Sequence, residues 1–184
     1  FISMTTITEI YNKKVIPAMR EMFAYTNVMA VPNVHKVVIN AGIGKLRDDK
    51  EREEVKKFLK LISGQEPSPR PAKKAIAAFK TREGVVIGYQ VTLRGKRMND
   101  FISRLINVAL PRTRDFRGLE RSAFDSRGNL TIGIKEYTVF PEMIGEDYKF
   151  LFGFEATIVT TAKKREEGIE LLRLLGFPIK KVSD

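Results

Sequence analysis

Two periods alternate along the chain, one of about two residues and one of about 3.6. Val85, Ile87, Tyr89, Val91 and Leu93 alternate with Val86, Gly88, Gln90, Thr92 and Arg94, which predicts a strand with one apolar face. Leu130, Ile132 and Ile134 alternate in the same way with Thr131, Gly133 and Lys135. Phe154, Ala156 and Ile158 alternate with Glu155, Thr157 and Val159. A further strand is predicted over Val34–Asn40, behind Pro32. The longer period predicts four helices. Thr6 and Glu9 have capping-box spacing ahead of an amphipathic stretch reaching about Phe23, with a kink or break expected at Pro17. Asp48, Asp49, Glu51, Glu53 and Glu54 crowd the start of a second helix, whose stripe is Val55, Phe58, Leu59 and Ile62 and whose stop is Gly64. Met98, Phe101, Ile102, Leu105 and Ala109 form a third stripe, ended by Pro111. Ile169, Leu172 and Leu175 form the last, stopped by Gly176 and Pro178.

Between these elements, Pro67, Pro69 and Pro71 open a stretch with no strong period, read as a long basic loop over about 66–83. Residues 111–128 also read as irregular. The order of elements predicts an α+β fold with a mostly antiparallel sheet. Because the strands alternate, helices should cover one sheet face and leave the other open. Phe1–Ser3 precede Met4 and are set aside as an expression remnant; residues 4–184 are read as one domain.

Composition narrows the chemistry. The chain has 184 residues, no cysteine, one histidine and a formal charge of +11. Disulfides, thiolate metal sites and two-histidine schemes are thereby excluded within one chain. The cationic excess points to a polyanionic partner, nucleic acid before membrane. The charge is uneven: from Arg70 to Arg97 there are eight cations and a single acid, Glu83. On the open face, Gln90, Thr92, Arg94, Thr131, Lys135 and Thr157 supply hydrogen-bonding groups, and Gly88 and Gly133 leave room for a close ligand.

Catalytic motifs fail. Gly42-Ile43-Gly44-Lys45 has the ring of a phosphate loop, but Ile39 and Leu46 stand where that loop needs glycine and a hydroxyl. A tight strand-to-helix turn fits better, and His35 reads as a surface residue. The acids of 48–54 lack the pattern of a calcium loop. No cofactor motif is present. An RNA-acting enzyme and a basic peripheral membrane protein are the rival classes; the absence of a nucleophile–base pair and the acidic helix face oppose them.

In chain order come Tyr25-Thr26-Asn27-Val28-Met29 with Pro32, Val37–Gly44, Ser63-Gly64-Gln65, Ala72-Lys73-Lys74, Phe79–Gly84 and Val91-Thr92-Leu93-Arg94-Gly95. They are followed by Leu110–Gly118, Gly128-Asn129, Gly133–Glu136 and Thr160–Lys163. Each is weak alone, but the ordered set closely resembles the universal large-ribosomal-subunit protein five family in its bacterial form. The resemblance implies a non-enzymatic, cytoplasmic ribosomal protein of the central protuberance that binds 5S rRNA. It further implies contact with peptidyl-site tRNA through the basic loop, with small-subunit ribosomal protein thirteen across the subunit interface, and with neighbouring large-subunit components.

On that resemblance Asn40, Gln65, Thr92 and Arg94 fall at 5S rRNA positions, and strand alternation adds Gln90. Lys73, Lys74, Phe79, Lys80 and Arg82 fall on the tRNA-facing loop. Arg112, Arg114, Asp115, Phe116 and Arg117 fall near the intersubunit contact. The chain departs from the family's usual residues at Pro69-Arg70-Pro71, at Ser126 and at Lys163-Lys164-Arg165.

Overall fold

A computed structural model describes residues 6–44, 46, 48–77, 81–114, 116–143 and 152–180. Five strands form one antiparallel sheet in the order β2-β3-β1-β5-β4. They are β1 Val34–Gly42, β2 Ser68–Pro71, β3 Val86–Leu93, β4 Leu130–Ile134 and β5 Phe154–Thr160. Val37, Ile39 and Ala41 of β1, Val91 and Leu93 of β3, and the alternate apolar residues of β4 and β5 point into one core. The helices pack there, with Phe58, Phe101, Ile102, Leu105, Leu171 and Leu172 fully buried. The α+β reading and its one-sided helical cover therefore hold.

Helix α1 comprises Ile7–Ile10, a π-helical turn Tyr11–Val15, and Ile16–Phe23. Thr6 caps it by accepting the Glu9 N–H at 3.3 Å. Of the kink or break expected at Pro17, the break does not occur. The Ile16 N–H reaches back five residues to Tyr11 O, and the widened turn admits the proline ring without ending the helix. Helix α3 repeats the device: Gly95–Arg104 runs into a π-helical turn, Leu105–Ala109, and then Leu110–Arg112. Leu110 donates to Leu105 O, so Pro111 lies within the helix rather than past its end.

Helix α2, Asp49–Ser63, starts under the Asp48 carboxylate and ends at Gly64, as its sequence predicts. Helix α4, Arg165–Leu174, begins after Lys164. Glu167 accepts the N–H groups of Lys163 and Lys164 at 3.0 and 3.3 Å, so a carboxylate sits at the positive end of the helix despite the preceding lysines. The turn containing Ser126 is closed by Asp125, which accepts the N–H groups of Arg127 and Asn129, both at 2.9 Å.

Two further expectations are corrected. The stretch after Pro67 is not irregular: Ser68–Pro71 form β2, paired with β3 through Ser68–Gln90, Pro69–Tyr89 and Arg70–Gly88. Prolines hide this strand from a propensity reading, yet an edge strand accommodates them. Beyond it the chain continues as an arm. Ala72 and Gly84 are hydrogen-bonded at 3.0 Å, and Ile76 and Thr81 exchange both backbone bonds. The second correction concerns Val85 and Ile87, expected on the buried face of β3 but 39% and 37% exposed. Between Arg70–Gly88 and Pro71–Val86 the register slips by one residue. That slip breaks the two-residue period, so Val86 packs on the core instead.

Candidate nucleic-acid interface

Directly paired residues of an antiparallel sheet share a face, so the pairing defines what the open face presents. One row across it reads Ser68, Gln90, Asn40, Glu155, Gly133. The next reads Thr92, Val38, Thr157, Thr131. With strands about 4.8 Å apart, each row of polar side chains spans roughly 14–19 Å. Asn40, Thr131, Gly133 and Glu155 are exposed, while Gln90, Thr92 and Thr157 are half-buried. Thr131 and Thr157 hydroxyls meet at 3.2 Å.

Gln65 reaches the backbone of β3 from the end of α2. Ser63 Oγ lies 2.5 Å from Leu59 O and accepts the Gln65 N–H at 3.2 Å, which turns the chain sharply. Gln65 Nε2 then donates to Thr92 O at 3.4 Å, the long end of the hydrogen-bond range. Arg94 follows β3 with extended backbone, φ −140° and ψ 164°, and so continues the alternation to the margin of the Thr92 face. The chain turns into α3 at once because Gly95 takes φ +58°, where a side chain would be strained. The structure thus places Asn40, Gln90 and Thr92 on the open face, Arg94 at its margin, and Gln65 against the backbone of β3 beside it.

Gly88 does not leave the room the sequence suggested. It is buried, and a β-carbon there would lie 3.1 Å from Ala41 O. Gly133 has open space where its side chain would be. The pairing also adds residues to this face that no motif marks: Glu155, Ser68 and, opposite Gly88, Arg70. The alternation of β5 placed Glu155 on this face; only the register shows it beside Asn40.

The other two groups lie toward opposite edges. Lys73, Lys74 and Arg82 are exposed on the arm between β2 and β3. Phe79 and Lys80 fall outside the described residues. Arg112, Arg114 and Arg117 are exposed along the segment that leaves α3, and Asp115 falls outside the described residues. Phe116 is half-buried and packs on the core. This segment walls a cavity of about 360 Å³ with β4. His35 is exposed, as expected, and Ile43 is buried in a turn that donates to Ile87 O at 2.9 Å.

Few groups carry unusual proton affinity. Lys56 and Lys60, each 2.9 Å from Glu66, hold its carboxyl down at about 2. Burial pushes the Tyr25 hydroxyl up to about 12, and its hydrogen bond to Glu167 adds to this. Burial opposes the charge of Asp125, but the bonds from Asn129 and Arg127 outweigh it and lower its pKa. No cluster of metal-ligating side chains occurs among the described residues, and none of their helices is long and apolar enough to cross a membrane.

The chain matches two family models in succession: ribosomal protein L5 over residues 27–82, and the C-terminus of the same ribosomal family over residues 86–179. The two halves share one sheet, since β1 and β2 come from the first and β3, β4 and β5 from the second. The large ribosomal subunit protein uL5 of Syntrophomonas wolfei is 49% identical over 178 residues, covering 96% of this chain and all of the relative. That of Streptococcus thermophilus is 50% identical over 176 residues, covering 95% and 98%. That of Alkaliphilus oremlandii is 47% identical over 179 residues, covering 97% and 100%. An open, polar sheet face with no catalytic constellation among the described residues is thus matched by near-complete likeness to ribosomal proteins, and the chain belongs to the ribosomal protein L5 family, a structural constituent of the large ribosomal subunit rather than an enzyme.

Proposed function

We propose that the open sheet face binds 5S rRNA in the central protuberance. The observation that carries this reading is the polar row of Gln90, Asn40 and Glu155, flanked by Thr92 and Arg94, on the sheet face that no helix covers among the described residues. Amides and hydroxyls at this spacing hydrogen-bond to 2′-OH groups, phosphates and base edges. The +11 charge supplies the long-range attraction.

The same reading assigns the arm bearing Lys73, Lys74, Phe79, Lys80 and Arg82 to peptidyl-site tRNA. It assigns the segment Arg112, Arg114, Asp115, Phe116 and Arg117 to small-subunit protein thirteen. Their positions at opposite edges of the sheet support separate partners. Within that segment Phe116 acts as an anchor that holds the flanking arginines outward, because it packs on the core itself.

Competition between 5S rRNA and an unrelated RNA of equal length tests the reading, because it cancels the nonspecific phosphate contribution. The expected result is clear preference for 5S rRNA, with a salt slope on the order of −4 to −5 if about six phosphates are neutralised. Equal competition by both RNAs would overturn it.

A further inference from the structure

Glu155 is an anomaly on a face that serves a polyanion. It is exposed, directly paired with Asn40 on one side and Gly133 on the other. Its carboxylate makes no ion pair or hydrogen bond among the described residues. An unneutralised carboxylate repels phosphate, so on a 5S rRNA surface it must meet something other than the RNA backbone. A carboxylate only accepts hydrogen bonds. Among the four RNA bases, guanine alone sets two N–H donors side by side, N1–H and N2–H, matching the two oxygens of one carboxylate. Gly133 leaves the space beside Glu155 clear of side chain, so a base can approach in the plane of the row. Asn40, on the other side, offers an amide to the remaining edge of that base or to its neighbour.

Resting on the assignment of this face to 5S rRNA, we infer that Glu155 is a specificity residue that accepts the N1–H and N2–H groups of an accessible guanine. Arg94 and the other cations provide attraction to any RNA. Glu155 rejects sequences that place phosphate or an acceptor-bearing base edge at this point of the face. Its contribution to specificity is thus partly repulsive.

The test compares the wild-type chain with Glu155→Ala and the nearly isosteric Glu155→Gln, on 5S rRNA and on an unrelated RNA of equal length. Both variants should fold, since the side chain is exposed. Their affinity for 5S rRNA should fall roughly tenfold to a hundredfold, the range of a bidentate base contact. For the unrelated RNA it should stay level or rise, because a negative charge has gone. Inosine, which lacks the N2 amino group, should interfere with wild-type binding at one guanine of 5S rRNA, and that interference should vanish with Glu155→Ala. Equal tightening on both RNAs would overturn the inference, leaving Glu155 a tolerated charge. A loss seen only with Mg²⁺ present would also overturn it, since the carboxylate would then hold a phosphate-bridging cation. Arg94→Ala separates this from the underlying reading. If it weakens 5S rRNA binding while the Glu155 variants do not, only the guanine contact fails; if none of the variants affects 5S rRNA, the face itself is misassigned.

Discussion

Gly168 in α4 lies against Gly128 in the Asp125–Asn129 turn so closely that a β-carbon on Gly168 would sit 2.3 Å from Gly128 O. The reverse substitution meets the same wall, with Gly168 Cα at 2.7 Å. The turn is held from the other side as well. Thr160 at the end of β5 donates its N–H to Asn129 Oδ1 at 2.9 Å and its hydroxyl to Gly128 O at 3.2 Å. Neither partner can retreat, so helix, turn and strand are locked by the absence of two side chains.

Gly168→Ala should therefore destabilise the chain by about 1–3 kcal/mol, through overpacking against backbone. The sign is diagnostic, because helix propensity alone predicts a gain of about 1 kcal/mol for glycine to alanine. Urea unfolding measures it. Stabilisation would mean that helix and turn separate easily.

On the sheet face, Thr92→Ala and Arg94→Ala should weaken 5S rRNA binding without loss of fold. Gln65 bonds to the backbone carbonyl of residue 92, which alanine retains. A hydrogen bond to a charged group contributes about 1.5–3 kcal/mol, so Arg94→Ala should cost roughly tenfold to a hundredfold in affinity. Circular dichroism and titration of labelled RNA together check both halves.

Replacing Lys73, Lys74, Lys80 and Arg82 together with alanine should leave isolated 5S rRNA binding nearly intact at moderate salt. Only a uniform electrostatic loss is expected there. Ribosomes assembled with this variant should release peptidyl-site tRNA faster. Collapse of 5S rRNA binding with unchanged tRNA retention would place the arm in the 5S rRNA site instead.

The Glu66 carboxyl should titrate near 2 in the folded chain, against an ordinary value of 4.5. A depressed folded pKa contributes stability above the ordinary value, and that contribution disappears as pH falls from 4.5 toward 2. Carbon-13 NMR titration reads it directly. Replacing Lys56 and Lys60 with alanine should return the midpoint toward 4.5.

Elements whose side chains follow one period are legible in the sequence. Val91 and Leu93 face the core, Asn40 and Thr92 face away, and the stripe Val55, Phe58, Leu59, Ile62 is buried throughout. Where two segments meet, single-chain patterns fall silent. Nothing local to β3 announces the slipped register that exposes Ile87, because the slip is a property of its pairing with β2. Pro17 and Pro111 read as breaks because the period cannot show a π-helical turn placed ahead of each. The candidate site divides in the same way. Asn40, Gln65, Thr92 and Arg94 were reachable from motifs, whereas the place of Glu155 beside Asn40 depends on β5 lying next to β1.

The prolines of β2 also govern what the chain does before it joins the ribosome. Ala72 donates its N–H toward β3, to Val85 O at 2.8 Å, so alternation turns the nitrogens of residues 71 and 69 outward. Those positions are Pro71 and Pro69, which have no hydrogen to offer. A second copy sliding up to this margin would find acceptors but no donors, and could not extend the sheet. The outer border of β2 is sealed by chemistry rather than covered by structure. A newly made chain can thus keep its polar face bare while it waits for its place in the particle, without polymerising through this edge of the sheet.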